Sequence, residues 1–207
     1  DTQTLTFLNE PLCSLTITKL DSVTGKPVPN TSFAVRDGNG NVLATCTTGK
    51  DGTATVTGLV PNSTVVVVET RVPDGYVLNT TPQAITVKNG ANTLTGSTGT
   101  GGTPTNPGSN TGTGNGNDLT FENEPKQTLT IHKYVKGTAN EPLAGVCFKV
   151  VDGSGAPVGP SDGTFYTDAK GEIVIEGLEP GTTITAREVK TVDGFVLDGT
   201  PKSVKIK

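Results

Sequence analysis

Residues 65–78 have the sequence VVVVETRVPDGYVL, and residues 184–197 have the sequence ITAREVKTVDGFVL. In both stretches a run of strand-forming residues leads into a glutamate, Glu69 or Glu188, and an Asp-Gly turn follows a few residues later. Self-similarity of this kind within one chain indicates a repeated structural unit. The two stretches therefore predict two copies of one β module.

Two further pairs of segments extend the repeat over most of the chain. Leu5-Thr-Phe-Leu-Asn9-Glu-Pro11 recurs as Leu119-Thr-Phe-Glu-Asn123-Glu-Pro125, and Leu15-Thr-Ile-Thr-Lys19 recurs as Leu129-Thr-Ile-His-Lys133. Both pairs are displaced by 114 positions and the two glutamates by 119, a drift that small loop insertions explain. In each copy apolar and polar residues alternate as in short strands, and Asp-Gly, Asn-Gly and Pro-Gly turns separate these strands. No segment has a helical period. We therefore predict an all-β chain of two tandem β-sandwich modules.

Domain boundaries follow from the repeat. Module 1 is predicted over residues 12–125 and module 2 over residues 126–207, with residues 1–11 preceding them. Within module 1, residues 89–117 consist almost entirely of Gly, Thr, Asn, Ser and Pro, a composition that buries too little apolar surface to fold alone. This loop is expected to be a mobile spacer or, alternatively, a ligand-binding or glycosylated surface.

The order of the repeats leaves one strand in excess and one missing. Module 1 closes with the strand at Leu119–Asn123, whereas module 2 stops before its equivalent and the chain begins with a spare copy, Leu5–Asn9. Two explanations stand open: the sequence is part of a longer tandem array, or the spare strand of one subunit completes module 2 of a neighbour. Repeated head to tail, such a contact builds a fibre.

The composition and the absence of known catalytic motifs exclude several classes of function. The formal net charge of -4 provides no basic footprint, so nucleic acid and anionic membrane surfaces are not expected partners, and no apolar run is long enough to span a bilayer. His132 is the single histidine, and the sequence has neither a G-x-S-x-G turn nor a phosphate-binding glycine loop nor clustered Cys and His at metal-ligand spacing. Neither a turnover enzyme nor a cofactor nor a metal is expected.

Strand alternation places polar side chains on the apolar faces of both modules and of the spare strand. The polar residues that share the parity of apolar neighbours are Lys19, Glu69 and Asn123 in module 1, Lys133 and Glu188 in module 2, and Asn9 on the spare strand. Because an unpaired buried charge is costly, the groups of one module are expected to meet.

Two outcomes of such a meeting are open. One is a buried Lys–Glu ion pair with the Asn hydrogen-bonded beside it. The other is a reaction, because burial lowers the pKa of a lysine and raises that of a glutamate. A neutral amine then attacks the Asn carboxamide, and the glutamate passes the proton to departing ammonia. Since proximity is fixed, an ordinarily inert amide reacts once and gives a Lys–Asn isopeptide cross-link.

The inward lysine of the first strand, the stretch at residues 65–78 and the terminal LTFENEP sequence resemble the Cna-B (SpaA-type, prealbumin-like) domains of surface adhesins and pilins, chiefly of Gram-positive bacteria. The resemblance covers nearly the whole chain, twice. It implies transthyretin-like β-sandwiches in which a lysine and an asparagine are joined with a glutamate as catalyst.

The resemblance assigns roles residue by residue. Module 1 would join Lys19 to Asn123 with Glu69 as catalyst. Module 2 would use Lys133 and Glu188, although Val192 stands where the first copy has Pro73 and the expected asparagine is absent downstream. The candidate partner of Lys133 is therefore Asn9 of another chain or of a preceding repeat.

The three cysteines, Cys13, Cys46 and Cys147, permit at most one internal disulfide. Buried free thiols are the ordinary expectation. Cys13 follows the spare strand closely, so a disulfide to a neighbouring subunit is the alternative.

The predicted function is mechanical. We expect a structural subunit of an extracellular fibre, pilus or adhesin stalk that assembles with copies of itself head to tail. The alternative is an adhesin module that binds a host protein or glycan through the loop at residues 89–117. An enzyme of transthyretin-like fold is disfavoured, because such a site would want several histidines and the chain has one.

Overall fold

The computed structural model describes residues 3–88, 117–160 and 162–207. The regular elements of this part are β-strands, and the chain divides into two compact units, unit 1 at Asp1–Glu124 and unit 2 at Pro125–Lys207. Among the described residues, no helix is long and apolar enough to cross a membrane. Apart from Asn117, the loop predicted at residues 89–117 lies outside the described residues.

Unit 1 is a β-sandwich of seven described strands. They are β1 (Cys13–Asp21), β2 (Ser32–Arg36), β3 (Val42–Thr47), β4 (Thr53–Leu59), β5 (Thr64–Arg71), β6 (Gln83–Thr86) and β7 (Asp118–Asn123). One sheet has the order β4-β1-β7 and the other the order β3-β2-β5-β6. Apolar side chains of both sheets form one buried cluster, as expected where each strand turns alternate residues inward.

The first and last strands of unit 1 lie side by side. β7 pairs in parallel with β1, with Lys19 opposite Phe121 and Asp21 opposite Asn123. Parallel neighbours cannot be joined by a hairpin, so the whole of unit 1 connects these two strands. The site described below is built where they run together.

Unit 2 repeats the sandwich with one strand fewer on the smaller sheet. Its strands are β8 (Gln127–His132), β9 (Cys147–Asp152), β10 (Thr164–Tyr166), β11 (Glu172–Leu178), β12 (Thr183–Lys190) and β13 (Lys202–Lys205). The sheets have the orders β11-β8 and β10-β9-β12-β13. β8 occupies the place of β1, but within residues 125–160 and 162–207 no strand lies in the place of β7. The predicted all-β fold of two sandwiches is confirmed, and the described residues of the second sandwich supply no counterpart of β7.

The spare strand predicted at Leu5–Asn9 is not paired. Residues 3–12 belong to no strand, and the side chains of Leu5 and Phe7 are each 86% exposed. Strand donation by this segment therefore stays a prediction.

Candidate functional site

Lys19 is the first member of a buried polar cluster in unit 1. It lies on β1, whose residues alternate strictly between buried and half-buried, and it is 0% exposed. Its Nζ donates to the backbone oxygens of Leu20 at 3.1 Å and Phe121 at 3.3 Å. Backbone carbonyls thus hold the amine against β7.

A glycine turn fixes the backbone of this lysine. Gly52 precedes β4, its oxygen accepts a 2.8 Å hydrogen bond from the Lys19 amide, and its φ of +72° is a left-handed conformation that glycine adopts readily. A Cβ at this position would lie 2.7 Å from the Lys19 oxygen. Gly171 has the same φ and the same contact with Lys133 in unit 2. Both glycines are therefore required for the close approach of this turn to the site strand.

Glu69 lies on β5, in the opposite sheet, and is 1% exposed. Its Oε1 accepts hydrogen bonds from the Asn123 Nδ2 at 2.7 Å and from the Asn79 backbone amide at 3.0 Å. Its Oε2 is 4.0 Å from the Lys19 Nζ and has no hydrogen-bond partner among the described residues. The carboxyl group therefore lies between the amine and the amide.

Asn123, the last residue of β7, completes the cluster. It is 2% exposed, and its Oδ1 has no hydrogen-bond partner within the described part of the chain. The rings of Phe33 and Phe121, at 4.9 Å between centroids, pack on the strands that carry the cluster. The structure thus brings together the three residues that the sequence pattern selected in module 1, in a site from which water is excluded.

Burial shifts both ionisable groups of the cluster toward their neutral forms. It lowers the pKa of Lys19 from 10.5 to about 8, although the nearby Glu69 charge opposes the shift. It also raises the pKa of Glu69 above its usual value, against the hydrogen bonds from Asn123 and Asn79 and the charge of Lys19. The site thus holds an amine and a carboxyl group whose pKa values are shifted toward the neutral forms, and the carboxyl group contacts a carboxamide; these are the groups that amide transfer needs.

Unit 2 holds the same two charged residues without an amide. The Lys133 Nζ lies 2.8 Å from Glu188 Oε2, and the side chains are 21% and 3% exposed. The Glu188 Oε1 has no hydrogen-bond partner among the described residues. The candidate partner Asn9 lies in the exposed segment before β1.

Two groups near the site, the Asn79 backbone amide and the Asp21 carboxylate, are not among the residues that the sequence pattern selected. The backbone amide of Asn79 gives no sequence signal, because any residue could supply it. Asp21, however, is buried with the parity of Lys19, and its Oδ2 accepts a 2.9 Å hydrogen bond from the Tyr76 hydroxyl. Strand alternation could have identified Asp21 as a second inward charge on β1, after Lys19.

The three cysteines are free thiols. Cys13 on β1 and Cys46 on β3 lie in different sheets of unit 1, and Cys147 lies on β9 of unit 2. The Cys13 Sγ contacts the Lys88 oxygen at 3.3 Å instead of another sulfur. The internal disulfide that three cysteines would permit is thus not formed in this structure, and a disulfide to a neighbouring subunit stays a prediction. No group of three His, Cys, Asp or Glu side chains suited to a metal occurs in the described ranges.

The sequence matches the family model described as SpaA, prealbumin-like fold domain, over residues 13–100 and again over residues 127–207. Each match lies within one copy of the repeat, and the first ends before β7. No curated protein sequence matches the chain significantly.

Solved pilin structures share the fold. The shaft pilin SpaA of Lactobacillus rhamnosus GG is 17% identical, with a TM-score of 0.52 over 94% of this chain and 93% of that one. A doubly substituted form of it gives 16% identity and a TM-score of 0.53, with the same coverage. The Bacillus anthracis TIE protein is 24% identical with a TM-score of 0.43, and the chain spans about a third (32%) of its length. Because the identities are this low, the likeness to the shaft pilin structures shows the fold of the chain and no more than the fold.

Proposed function

Because the chain belongs to the family of SpaA prealbumin-like fold domains, we propose that it is a structural subunit of an extracellular surface fibre, pilus or adhesin stalk, and that an amide bond between Lys19 and Asn123 closes unit 1. The observation that carries the proposal is the buried contact of these two residues with Glu69. The shared fold of a shaft pilin supports the fibre role by analogy.

The bond would form without an external reagent. The neutral amine of Lys19 attacks the Asn123 Cγ, the new Nζ–Cγ bond replaces the Cγ–Nδ2 bond, and the Asn123 nitrogen leaves as ammonia. The proposal is supported by the lowered pKa of Lys19, which makes the neutral amine accessible near pH 8. It is a single event for each chain, so the protein is not a turnover catalyst.

Glu69 is the proton carrier of this step. In its protonated form it gives a proton to the departing Nδ2, which its Oε1 already contacts at 2.7 Å, and it takes one from the attacking amine. The raised pKa of Glu69 supports this role, because an acid at the usual pKa of 4.5 would hold little of the needed proton near neutrality. Burial also removes the water that would compete for these protons.

The bond would serve a mechanical purpose. It joins β1 to β7, which lie side by side at the two ends of unit 1, so a pull on the ends would pass through the cross-link and leave the residues between them folded. On the chain-entropy model, a link between residues 104 positions apart stabilises the unit by about 4–5 kcal/mol. We further propose that subunits assemble head to tail by strand donation.

Force spectroscopy tests the mechanical role. When the chain is pulled from its two ends, we expect unit 1 to add no unfolding extension. In Lys19→Ala it is expected to release about 340–370 Å, the extended length of the chain between Lys19 and Asn123. Lys26→Ala, which removes an exposed amine of the same unit, is the matched control and should behave as the unsubstituted chain does. Equal extension of unit 1 in all three would refute the proposal.

A further inference from the structure

Unit 2 has an open groove where unit 1 has β7. In unit 1, β1 is paired on both sides, with β4 and β7, whereas β8 is paired with β11 and the described residues of unit 2 supply no strand for its other side. A groove of about 250 Å³ runs there between β8 and β13. Its lining includes Leu129, Ile131, Lys133, Phe148, Ile184 and Glu188.

The apolar wall of this groove is incompletely covered. Leu15 and Ile17 on β1 are 0% exposed, but their counterparts Leu129 and Ile131 on β8 are half-buried. The sequence of the two strands is the same at these positions, so the difference arises from what covers them. In unit 1 the cover includes Leu119 and Phe121 of β7, which are 2% and 3% exposed.

The polar end of the groove is also incomplete. Glu188 is 3% exposed and its Oε1 has no hydrogen-bond partner among the described residues, whereas the corresponding Oε1 of Glu69 accepts the Asn123 amide. A buried carboxylate oxygen without a donor is costly, so this position is suited to an incoming N–H group. An asparagine at the end of an added strand would supply that group.

We propose that Leu5–Asn9 of a second copy of this chain fills the groove as a strand parallel to β8, and that Asn9 becomes joined to Lys133; the inference rests on the proposed function, whose chemistry it extends to a contact between subunits. Because the repeats are displaced by 114 positions, the pairing of β7 with β1 predicts how Leu5–Asn9 would pair with β8. It places Leu5 opposite Ile131, Phe7 opposite Lys133 and Asn9 opposite Val135. Leu5 and Phe7, which match the inward residues Leu119 and Phe121, are exposed in the single chain, and the equivalent place in its own unit is already taken by β7.

The connection after the strand shows which strand position Leu5–Asn9 matches. Three residues separate Asn123 from β8, and three separate Asn9 from β1. Along the chain, β7 is the last strand of unit 1 and directly precedes unit 2. Leu5–Asn9 precedes unit 1 at the same distance, so it has the sequence position of the last strand of a preceding unit. Unit 2 of the same chain follows unit 1 and does not precede it, so the proposed acceptor is unit 2 of a second copy, and such a contact repeats without closing.

The reaction that joins Lys133 to Asn9 is the same as the one proposed in unit 1. The Lys133 Nζ attacks the Asn9 Cγ, the Nζ–Cγ bond forms as the Cγ–Nδ2 bond breaks, and the Nδ2 leaves as ammonia with a proton relayed by Glu188. Each junction releases one ammonia and requires no oxidant or cofactor. The product is a fibre whose subunits are linked by amide bonds.

Two variants test the proposal, one able to act only as the acceptor and one only as the donor. Asn9→Ala keeps the acceptor and loses the donor, whereas Lys133→Ala keeps the donor and loses the acceptor. On a denaturing, reducing gel, the unsubstituted chain is expected to give a ladder, each variant alone a monomer, and their equimolar mixture a single linked dimer with nothing larger. Lys136→Ala, which removes an exposed lysine near the groove, is the matched control and should still form the ladder. Asn9 lies outside every strand, so its replacement does not disturb the fold.

Three results would overturn the inference. They are a monomeric unsubstituted chain, a ladder that persists in Lys133→Ala, and a monomer that has lost two ammonia molecules, which would mean that the strand fills the groove of its own chain. The test is independent of the bond in unit 1, which is detected separately as a Lys19–Asn123 tryptic cross-link. A ladder without that cross-link would contradict the Lys19–Asn123 bond of the proposed function alone, and the cross-link without a ladder would contradict this inference and leave that bond standing.

Discussion

Asn123 donates its side-chain amide to Glu69 Oε1 across 2.7 Å, from the last strand of unit 1 to a strand of the opposite sheet. The nitrogen that would leave as ammonia is therefore already in contact with the carboxyl group that would protonate it. The same carboxyl has its second oxygen 4.0 Å from the Lys19 Nζ. One glutamate thus contacts both the group that would lose a proton and the group that would gain one.

Removing the acid while keeping its shape should slow bond formation. In Glu69→Gln the side-chain oxygen can still accept the Asn123 amide, but no carboxyl proton is available. Because a positioned proton carrier contributes about 10²–10⁴-fold, we expect the rate of ammonia loss to fall by at least about a hundredfold. The measurement is mass against time after the chain, recovered unfolded before the bond has formed, is diluted into folding buffer. Glu188→Gln, the same change in unit 2, is the control for unit 1, and an unaltered rate in Glu69→Gln would exclude the proposed role.

The pH profile of the same reaction follows from the two shifted groups. The reactive form has Lys19 neutral and Glu69 protonated, and its net charge equals that of the ion pair. Its population is therefore constant between the two pKa values and falls tenfold for each pH unit outside them. With the pKa of Lys19 at about 8 and that of Glu69 raised, we expect a plateau that declines above about pH 8. A rate that keeps rising beyond pH 9 would show that the neutral amine alone suffices.

The Tyr76 hydroxyl is expected to stabilise unit 1 through Asp21. Burial by itself would raise the pKa of Asp21, but hydrogen bonds from the Thr24 amide, the Tyr76 hydroxyl and the Val23 amide outweigh it and hold the pKa below its usual value. Ionised Asp21 thus favours the folded state above its ordinary pKa of 3.8, and this contribution is lost as the pH falls through the folded-state value.

We therefore expect Tyr76→Phe to lower the free energy of unfolding near pH 7 by about 1–2 kcal/mol, with a smaller loss in strong acid. Unit 2 has the apolar pair Val135 and Phe195 at the matching positions, so Phe195→Tyr, which has no aspartate to bind, should give no gain. Denaturant titrations at pH 7 and pH 3 measure both variants. A loss in Tyr76→Phe that is the same at the two pH values would assign it to packing rather than to Asp21.

Asn117 should stabilise unit 1 by joining two segments that are distant in sequence. It is 3% exposed, its Oδ1 accepts the Lys88 amide at 2.7 Å, and its Nδ2 donates to the Ser14 oxygen at 3.1 Å. Asn117→Ala leaves the Lys88 amide without this partner, so we expect a loss of about 1–3 kcal/mol in a denaturant titration. Thr55→Ala, on the exposed face of β4, is the control. Equal stability of the two variants would contradict this role of Asn117.

The sequence predicted the fold class because the strands alternate with period two and the repeat is nearly in register. For the same reason it predicted that Lys19, Glu69 and Asn123 face inward. Which strands pair could not be predicted in the same way, because the parallel contact of β1 and β7 joins residues about a hundred positions apart. The contact of the Asn79 amide with Glu69 depends on a loop conformation, for which backbone groups carry no sequence signal.

The intact mass of the Asn9→Ala chain under denaturing, reducing conditions tests the central claim most directly, since this variant cannot be joined to a neighbour through its own Asn9. The account predicts a monomer lighter than its sequence mass by one ammonia (about 17 Da), and the full sequence mass when Lys19→Ala is added. An Asn9→Ala chain at its full sequence mass would contradict the account and leave Lys19, Glu69 and Asn123 as a non-covalent buried cluster.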